Sequence, residues 1–128
     1  MPERSAKPPA EQILDNLEWI ARSLASATDF RGCAFLNAIA ELGGENSAAR
    51  DLAVTYKESR RLWYRELLSR LDVDDPDTLA TQLSLLVDGA YAAALARNDP
   101  TAMRPAIAAA RTLLKAAGVR IGSDGTGR

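Results

Sequence analysis

The residue type that most restricts the chemistry of this chain is one it lacks, because the sequence contains no histidine. Histidine is the usual general base near neutral pH and the commonest metal ligand. Its absence excludes Ser-His-Asp and Cys-His catalysis and the usual zinc sites. A small helical enzyme that uses carboxylates remains as a weak alternative, with Glu41 and Asp88 as its acids. We expect no enzyme activity, no metal site and no cofactor.

A second chemical candidate is the stretch "RGCAFLNAIAELGG", residues 31–44, which carries the only cysteine of the chain. Cys33, Leu36 and Asn37 lie at spacings of three and four and therefore share one face of a predicted helix. A single cysteine cannot form an internal disulfide, and Cys33 is expected to be a small buried hydrophobe. Asn37 is explained equally well by a hydrogen bond to nearby backbone and by contact with a ligand. The segment is predicted to belong mainly to the hydrophobic core and secondarily to the wall of a pocket.

A small-molecule pocket needs mostly apolar walls and a few polar groups that fix orientation. Aromatic residues make up only 5% of the chain, so the few that occur are the natural wall candidates. The predicted pocket residues are Trp19, Phe30, Cys33, Leu36, Asn37, Tyr56, Arg60, Trp63 and Tyr91.

Several of these residues have an equally simple structural explanation. Tyr56 and Trp63 lie on the apolar stripe of their predicted helix, where core packing is the commoner role. Arg60 interrupts that stripe, so its side chain either extends to solvent or pairs with a carboxylate such as Glu41 or with an anionic effector. Asp88 is expected to be a structural hydrogen-bonding group rather than a catalytic acid.

The elements that must position these residues are predicted to be helices only. The hydrophobic 47% of the chain is mostly alanine and leucine, and no segment alternates with the period of a strand. Asp75-Pro76 and Asp99-Pro100 each place a capping carboxylate before a proline, a frequent helix start. Five helices are predicted, over about 9–27, 33–42, 47–71, 76–97 and 100–117, and the last two are expected to form a tight hairpin.

Length and charge indicate one cytoplasmic domain. The 128 residues carry 16 basic and 17 acidic side chains, without the basic surplus of a nucleic-acid-binding protein. The charged N-terminal residues do not resemble a signal peptide, and the longest apolar run, residues 89–96, is too short to cross a bilayer. Residues 1–9 are expected to be a flexible lead-in, 10–117 the folded domain and 118–128 a flexible tail.

The helix predicted over 76–97 is apolar around most of its circumference. Gly89 in its interior costs about 1 kcal/mol relative to alanine, and small residues around it flatten the surface. Such a helix must be buried on most sides, either by a second subunit or under the long third helix. The predicted dimer interface comprises Leu83, Leu86, Gly89, Ala93, Ala106, Ala110 and Leu113.

Two segments, "FRGCAFLNAIAE" (30–41) and "LLVDGAYAAAL" (85–95), and the order of the helices around them resemble the C-terminal domain of TetR-family transcriptional regulators. The resemblance covers roughly residues 10–117. It implies a five-helix bundle whose last two helices form a four-helix bundle with those of a second subunit, and an effector pocket inside the domain. Ala34 stands where the family frequently has proline.

The resemblance also implies a DNA-binding helix-turn-helix before this domain, and residues 1–9 are too few to form one. We therefore expect no DNA contact by this chain alone. The expected function is effector sensing and dimerisation, in which an apolar ligand favours one arrangement of the helices over another. The alternative is a homodimeric helical interaction module that binds no small molecule.

Overall fold

The computed structural model describes residues 7–26 and 47–122, and within these ranges the chain forms four helices and no strand. The helices are α1 (Pro9–Ser26), α2 (Ser47–Ser69), α3 (Pro76–Arg97) and α4 (Met103–Ala116). The all-α prediction is therefore confirmed for this part of the chain. The helix predicted over 33–42 lies outside the described residues.

The start and end of α3 follow from its capping residues. The Asp75 carboxylate accepts hydrogen bonds from the backbone N–H of Thr78 at 3.1 Å and from its hydroxyl at 2.7 Å, and Pro76 is the first helical residue. At the other end Asn98 takes the left-handed conformation (φ 53°), and its backbone N–H donates to the carbonyl of Ala94. The bounds predicted for this helix, 76–97, are correct.

The start of α4 differs from the prediction, since the helix begins at Met103 and not at Pro100. The Asp99 carboxylate accepts hydrogen bonds from the N–H and the hydroxyl of Thr101, two residues ahead, at 2.8 and 2.7 Å. Thr101 precedes the first helical residue, so these bonds close a tight turn. A helix cap would instead accept from a backbone N–H inside the helix. The link between α3 and α4 is accordingly longer than predicted, over 98–102.

The end of α4 is a glycine cap, as predicted. Gly118 has a φ of 85°, its N–H donates to the carbonyl of Lys115 at 3.0 Å, and the N–H of Val119 donates to that of Leu114 at 2.9 Å. These two bonds form the Schellman motif, which requires a left-handed residue that glycine adopts without strain. Val119 is buried, so the first part of the segment predicted to be a tail packs on the domain.

The core lies where α3 packs between α2 and α4, with α1 closing the fourth side against α2 and α4. Leucine and isoleucine at spacings of three and four on α1 face inward, which is the amphipathic pattern of its sequence. The largest fully buried side chains come from all four helices: Ile13, Leu17, Tyr64, Leu67, Leu68, Leu83, Val87, Met103 and Leu114.

Three residues of the predicted dimer interface belong to this core. Leu83, Ala106 and Ala110 are 0%, 8% and 1% exposed within the single chain, because they hold α3 and α4 together. They leave almost no surface for a second subunit in this packing, and the interface as a whole stays a prediction. Leu86, Ala93 and Leu113 are half-buried and Gly89 is exposed.

The opposite side of α3 remains uncovered within the described part of the chain. Leu85 is 62% exposed, and Gly89, Ala92 and Ala96 follow it at spacings of three and four. We call these four residues the exposed face of α3. By length and composition alone this helix is also apolar enough to cross a membrane. This is weak evidence, because buried helices of soluble domains pass the same test.

Truncation of two leucines on α3 tests this division into core and exposed face. Leu83→Ala is expected to lower the free energy of unfolding by about 2–5 kcal/mol, because it leaves a cavity in the core. Leu85→Ala, two residues away, is expected to change it by about 0.5 kcal/mol or less in the monomer. Urea unfolding at low protein concentration measures both values, and equal losses would contradict the packing described here.

The cap of α3 predicts a pH dependence. Hydrogen bonds from the Thr78 hydroxyl and backbone N–H hold the pKa of Asp75 below its ordinary value. The stabilisation is complete above the ordinary pKa of about 3.9 and is lost as the pH falls through the lower folded value. The stability deficit of Asp75→Ala relative to wild type should therefore shrink between about pH 6 and about pH 3.

The matched control is Asp75→Asn, whose side-chain oxygen still caps the helix but does not titrate. Its advantage over Asp75→Ala should persist at low pH, as followed by urea unfolding monitored by circular dichroism. A deficit of Asp75→Ala that is constant with pH would contradict the role given to the carboxylate.

Candidate functional site

A cleft of about 660 Å³ opens between α1 and α2. This volume lies in the range of small-molecule sites, about 300–1,000 Å³. Its described lining consists of Gln12, Asp15, Asn16, Trp19, Ile20 and Arg22 from α1 and Tyr56, Arg60 and Trp63 from α2.

The α1 side of the cleft is the flank of the buried stripe of that helix. Gln12, Asn16 and Trp19 follow one another at spacings of four and three, beside the inward-facing Ile13 and Leu17. Residues at these spacings share a face, so one polar and aromatic row borders the core along two turns. The sequence analysis identified Trp19 of this row and missed Gln12 and Asn16, which the same spacing would have revealed.

The polar groups at the start of α1 are engaged with the segment before it. The Gln12 side-chain amide donates to the backbone carbonyl of Lys7 at 3.0 Å. The Lys7 ammonium pairs with Asp15 at 2.6 Å, and both side chains are more than half exposed. An exposed pair of this kind contributes little to stability. It does neutralise Asp15, the one carboxylate in the described lining of the cleft.

A hydrogen bond between Tyr64 and Asn16 connects the two helices below the cleft. The Tyr64 hydroxyl donates to Oδ1 of Asn16 at 2.7 Å, and the Tyr64 side chain is fully buried. Burial raises the pKa of Tyr64 far above its ordinary value. The hydroxyl therefore remains protonated and keeps donating to Asn16 throughout the physiological pH range.

Arg60 is the most deeply buried charge at the cleft, with only 3% of its side chain exposed. Its Nη2 donates to Oδ1 of Asp88 on α3 at 2.5 Å, and its Cζ lies 5.8 Å from the centroid of the Tyr56 ring. The Nε–H is buried and has no hydrogen-bond acceptor within the described part of the chain. One guanidinium thus belongs both to the wall of the cleft and to the packing of α2 against α3.

The structure brings four of the predicted pocket residues to this cleft, namely Trp19, Tyr56, Arg60 and Trp63. Trp19 and Tyr56 are 56% and 44% exposed, which is unusual for large aromatic side chains in a small domain. Tyr91 is half-buried against the core on α3 and is not part of the lining. Phe30, Cys33, Leu36 and Asn37 lie outside the described residues.

Of the partners expected for Arg60, the structure shows a carboxylate, and it is that of Asp88. The sequence analysis expected Asp88 to be a structural hydrogen-bonding group, and its contact with Arg60 is of that kind. Glu41, the partner considered then, lies outside the described residues. The distance along the chain, 28 residues, explains why spacing rules gave no signal for this pair.

A second depression of about 620 Å³ lies between the end of α2 and the start of α3. Two of its carboxylates already have cationic partners, since Asp77 accepts from Arg61 at 2.6 Å and lies 3.2 Å from Arg65, and Glu66 lies 3.3 Å from Arg70. The described residues contain no group of three or more acidic or cysteine side chains that would hold a metal ion. The cleft between α1 and α2 is the candidate site.

Two substitutions test the connection between the walls of the cleft. Tyr64→Phe removes the hydroxyl and should lower the free energy of unfolding by about 0.5–1.5 kcal/mol. Asn16→Ala leaves that hydroxyl buried without an acceptor and should cost more, about 1–3 kcal/mol. Urea unfolding of both single variants and the double variant gives the coupling energy, and additive losses would show that the bond contributes nothing.

The chain was compared with protein families, curated proteins and solved structures. Residues 9–109 match the family model described as "Transcriptional regulator LmrA/YxaF-like, C-terminal domain", a TetR C-terminal domain family. No curated protein and no solved structure matches the chain. The matched range includes α1, α2 and α3 entirely and the first half of α4.

Proposed function

The chain belongs to the LmrA/YxaF-like family of transcriptional regulator C-terminal domains, and on this basis we propose that it senses a small-molecule effector and dimerises. The observation that carries the proposal is the cleft between α1 and α2, which brings the exposed Trp19 and Tyr56 beside a buried arginine. Apolar walls with a few polar groups are what a pocket for a small apolar ligand requires.

The Arg60–Asp88 ion pair supports a mechanism in which the cleft communicates with α3. Arg60 lines the cleft, and its partner Asp88 is on the helix that carries the exposed apolar face. A ligand that moves the guanidinium changes the contact between α2 and α3. Ligand binding would then favour one arrangement of α3 over another, and it shifts that equilibrium only as far as its affinities for the two arrangements differ.

The exposed face of α3 supports dimerisation through this helix. Gly89 lies in the middle of that face, and a Cβ placed there would meet no atom of the described chain within 4 Å. Glycine costs about 1 kcal/mol in a helix, and no close packing within the described residues compensates for it. Close approach of a second α3 across a twofold axis would give this glycine a role.

The alternative function is a homodimeric module that binds no small molecule. It is favoured by the way the cleft's polar groups are already engaged, with Gln12 and Asp15 bound to Lys7 and Arg60 bound to Asp88. A carboxylate enzyme is not proposed, because Asp88 is committed to Arg60 and the family is one of transcriptional regulators.

Intrinsic fluorescence separates ligand binding from the alternative. The chain contains two tryptophans, Trp19 and Trp63, and both line the cleft. A ligand that occupies the cleft should quench or shift their emission and raise the midpoint of thermal unfolding. A screen of apolar compounds in which neither signal changes would favour the module without a ligand.

Substitution of Gly89 tests the dimer. Gly89→Ala should raise the free energy of unfolding of the monomer by about 1 kcal/mol, because alanine favours the helix. The same Cβ should weaken association, because it enlarges the flattest point of the proposed interface. Sedimentation equilibrium measures association, and urea unfolding of dilute protein measures the stability of the monomer.

The control is Thr55→Ala, which improves helix propensity at an exposed position of α2 away from that face. It should stabilise the monomer and leave the dimer dissociation constant unchanged. Wild-type protein that is monomeric at every concentration, or a Gly89→Ala dimer as tight as the wild type, would contradict an interface at α3.

A further inference from the structure

We infer that the cleft selects apolar molecules that carry one anionic group of the carboxylate class, and that Arg60 is the side chain that recognises this group. The inference rests on the proposed ligand-binding function of the cleft and specifies its ligand. It begins from the incomplete hydrogen bonding of a buried charge.

A guanidinium has five N–H donors and needs acceptors when it is removed from water. Arg60 is 3% exposed, and its Nη2 donates a hydrogen bond to Asp88. Its buried Nε–H has no acceptor among residues 7–26 and 47–122. The Nε edge of a guanidinium is one of the two edges that bind a carboxylate through paired hydrogen bonds. Arg60 therefore has the donors for a further acidic group.

The other charges at the cleft favour an anion. Asp15 is paired with Lys7, and Asp88 with Arg60. Asp88 is 29% exposed, so water screens part of its charge, whereas Arg60 is almost completely desolvated. Arg22, at the exposed rim of the cleft, forms no ion pair with any residue of 7–26 or 47–122. A ligand anion therefore meets cations that the described residues do not fully neutralise.

The path to Arg60 involves Tyr56. The Nε atom is closed to solvent, so a ligand reaches it by turning the Tyr56 ring aside or by drawing the guanidinium away from Asp88. Tyr56 is 44% exposed, so its ring lies at the surface of the cleft. In the second route the ligand competes directly with Asp88. Weakening the acceptor at position 88 should consequently strengthen anion binding.

The experiment uses two fluorescent probes with the same ring system on the full chain. One is 8-anilinonaphthalene-1-sulfonate, whose sulfonate supplies the anionic oxygens, and the other is the uncharged N-phenyl-1-naphthylamine. The measured quantity is the ratio of their dissociation constants, neutral over anionic, for each variant. Because both probes have the same rings, the contribution of the apolar walls to their binding cancels in this ratio. Quenching of Trp19 and Trp63 confirms that binding occurs at the cleft.

Arg60→Gln should lower this ratio about tenfold or more, because a charge-assisted hydrogen bond contributes roughly 1.5–3 kcal/mol and 1.4 kcal/mol corresponds to tenfold. Asp88→Asn should raise it, since the amide competes less well for Arg60. Arg22→Gln, an exposed change that does not threaten folding, should lower it by a smaller factor of about two to three. Circular dichroism verifies the fold of each variant.

An unchanged ratio in Arg60→Gln overturns the inference. If Arg60→Gln does not fold, the test rests on Asp88→Asn and Arg22→Gln. The inference is then overturned unless Asp88→Asn raises the ratio and Arg22→Gln lowers it. If both probes quench the tryptophans and the ratio is the same in every variant, the cleft binds ligands but does not select anions. If neither probe quenches the tryptophans, the result contradicts both the proposed ligand binding and the anion selection.

Discussion

The ion pair between Arg60 and Asp88 is the interaction on which the rest of the site depends. It places a charge beside a core built from leucine, isoleucine, valine, alanine, one methionine and one tyrosine among the described residues. A pair of this kind adds little net stability over apolar side chains, because desolvation offsets much of the attraction. Its effect is positional, since removal of either partner would leave a charge without its counter-ion, and this favours the packing of α2 and α3 in which the two groups meet. The same contact holds Arg60 in the wall of the cleft.

The cleft itself results from the way α1 meets α2. The apolar stripe of α1 is buried in the core, and the hydrogen bond between Tyr64 and Asn16 joins α1 and α2 at the border of that stripe. Beyond that border Trp19 lines one side of the cleft and Tyr56 and Trp63 line the other, and the space between them remains open among the described residues. Large aromatic surfaces stay partly exposed as a consequence, which is a common property of binding sites.

The sequence predicted local features better than distant ones. The bounds of α3 followed from a carboxylate and a proline at its start, because capping is decided within four residues. The same dipeptide at 99–100 misled the prediction of α4, since the hydroxyl of Thr101 draws the carboxylate into a turn. Aromatic content pointed to residues on both walls of the cleft, Trp19 on α1 and Tyr56 and Trp63 on α2. The partner of Arg60 was missed, since 28 residues separate it from Asp88. An apolar pattern also does not tell whether Leu83 faces its own chain or another.

The position of α3 has a thermodynamic consequence for an assembly of two chains. One side of the helix holds Asp88 against Arg60, while Leu85 and Gly89 lie on its exposed face. In a twofold dimer joined through this face, a displacement of α3 in one protomer is transmitted to the α3 of its partner. The two clefts then share one equilibrium, and occupancy of either changes the affinity of the other by the same factor. Such a protein would respond to its ligand cooperatively, with a steeper dependence on concentration than a single cleft allows.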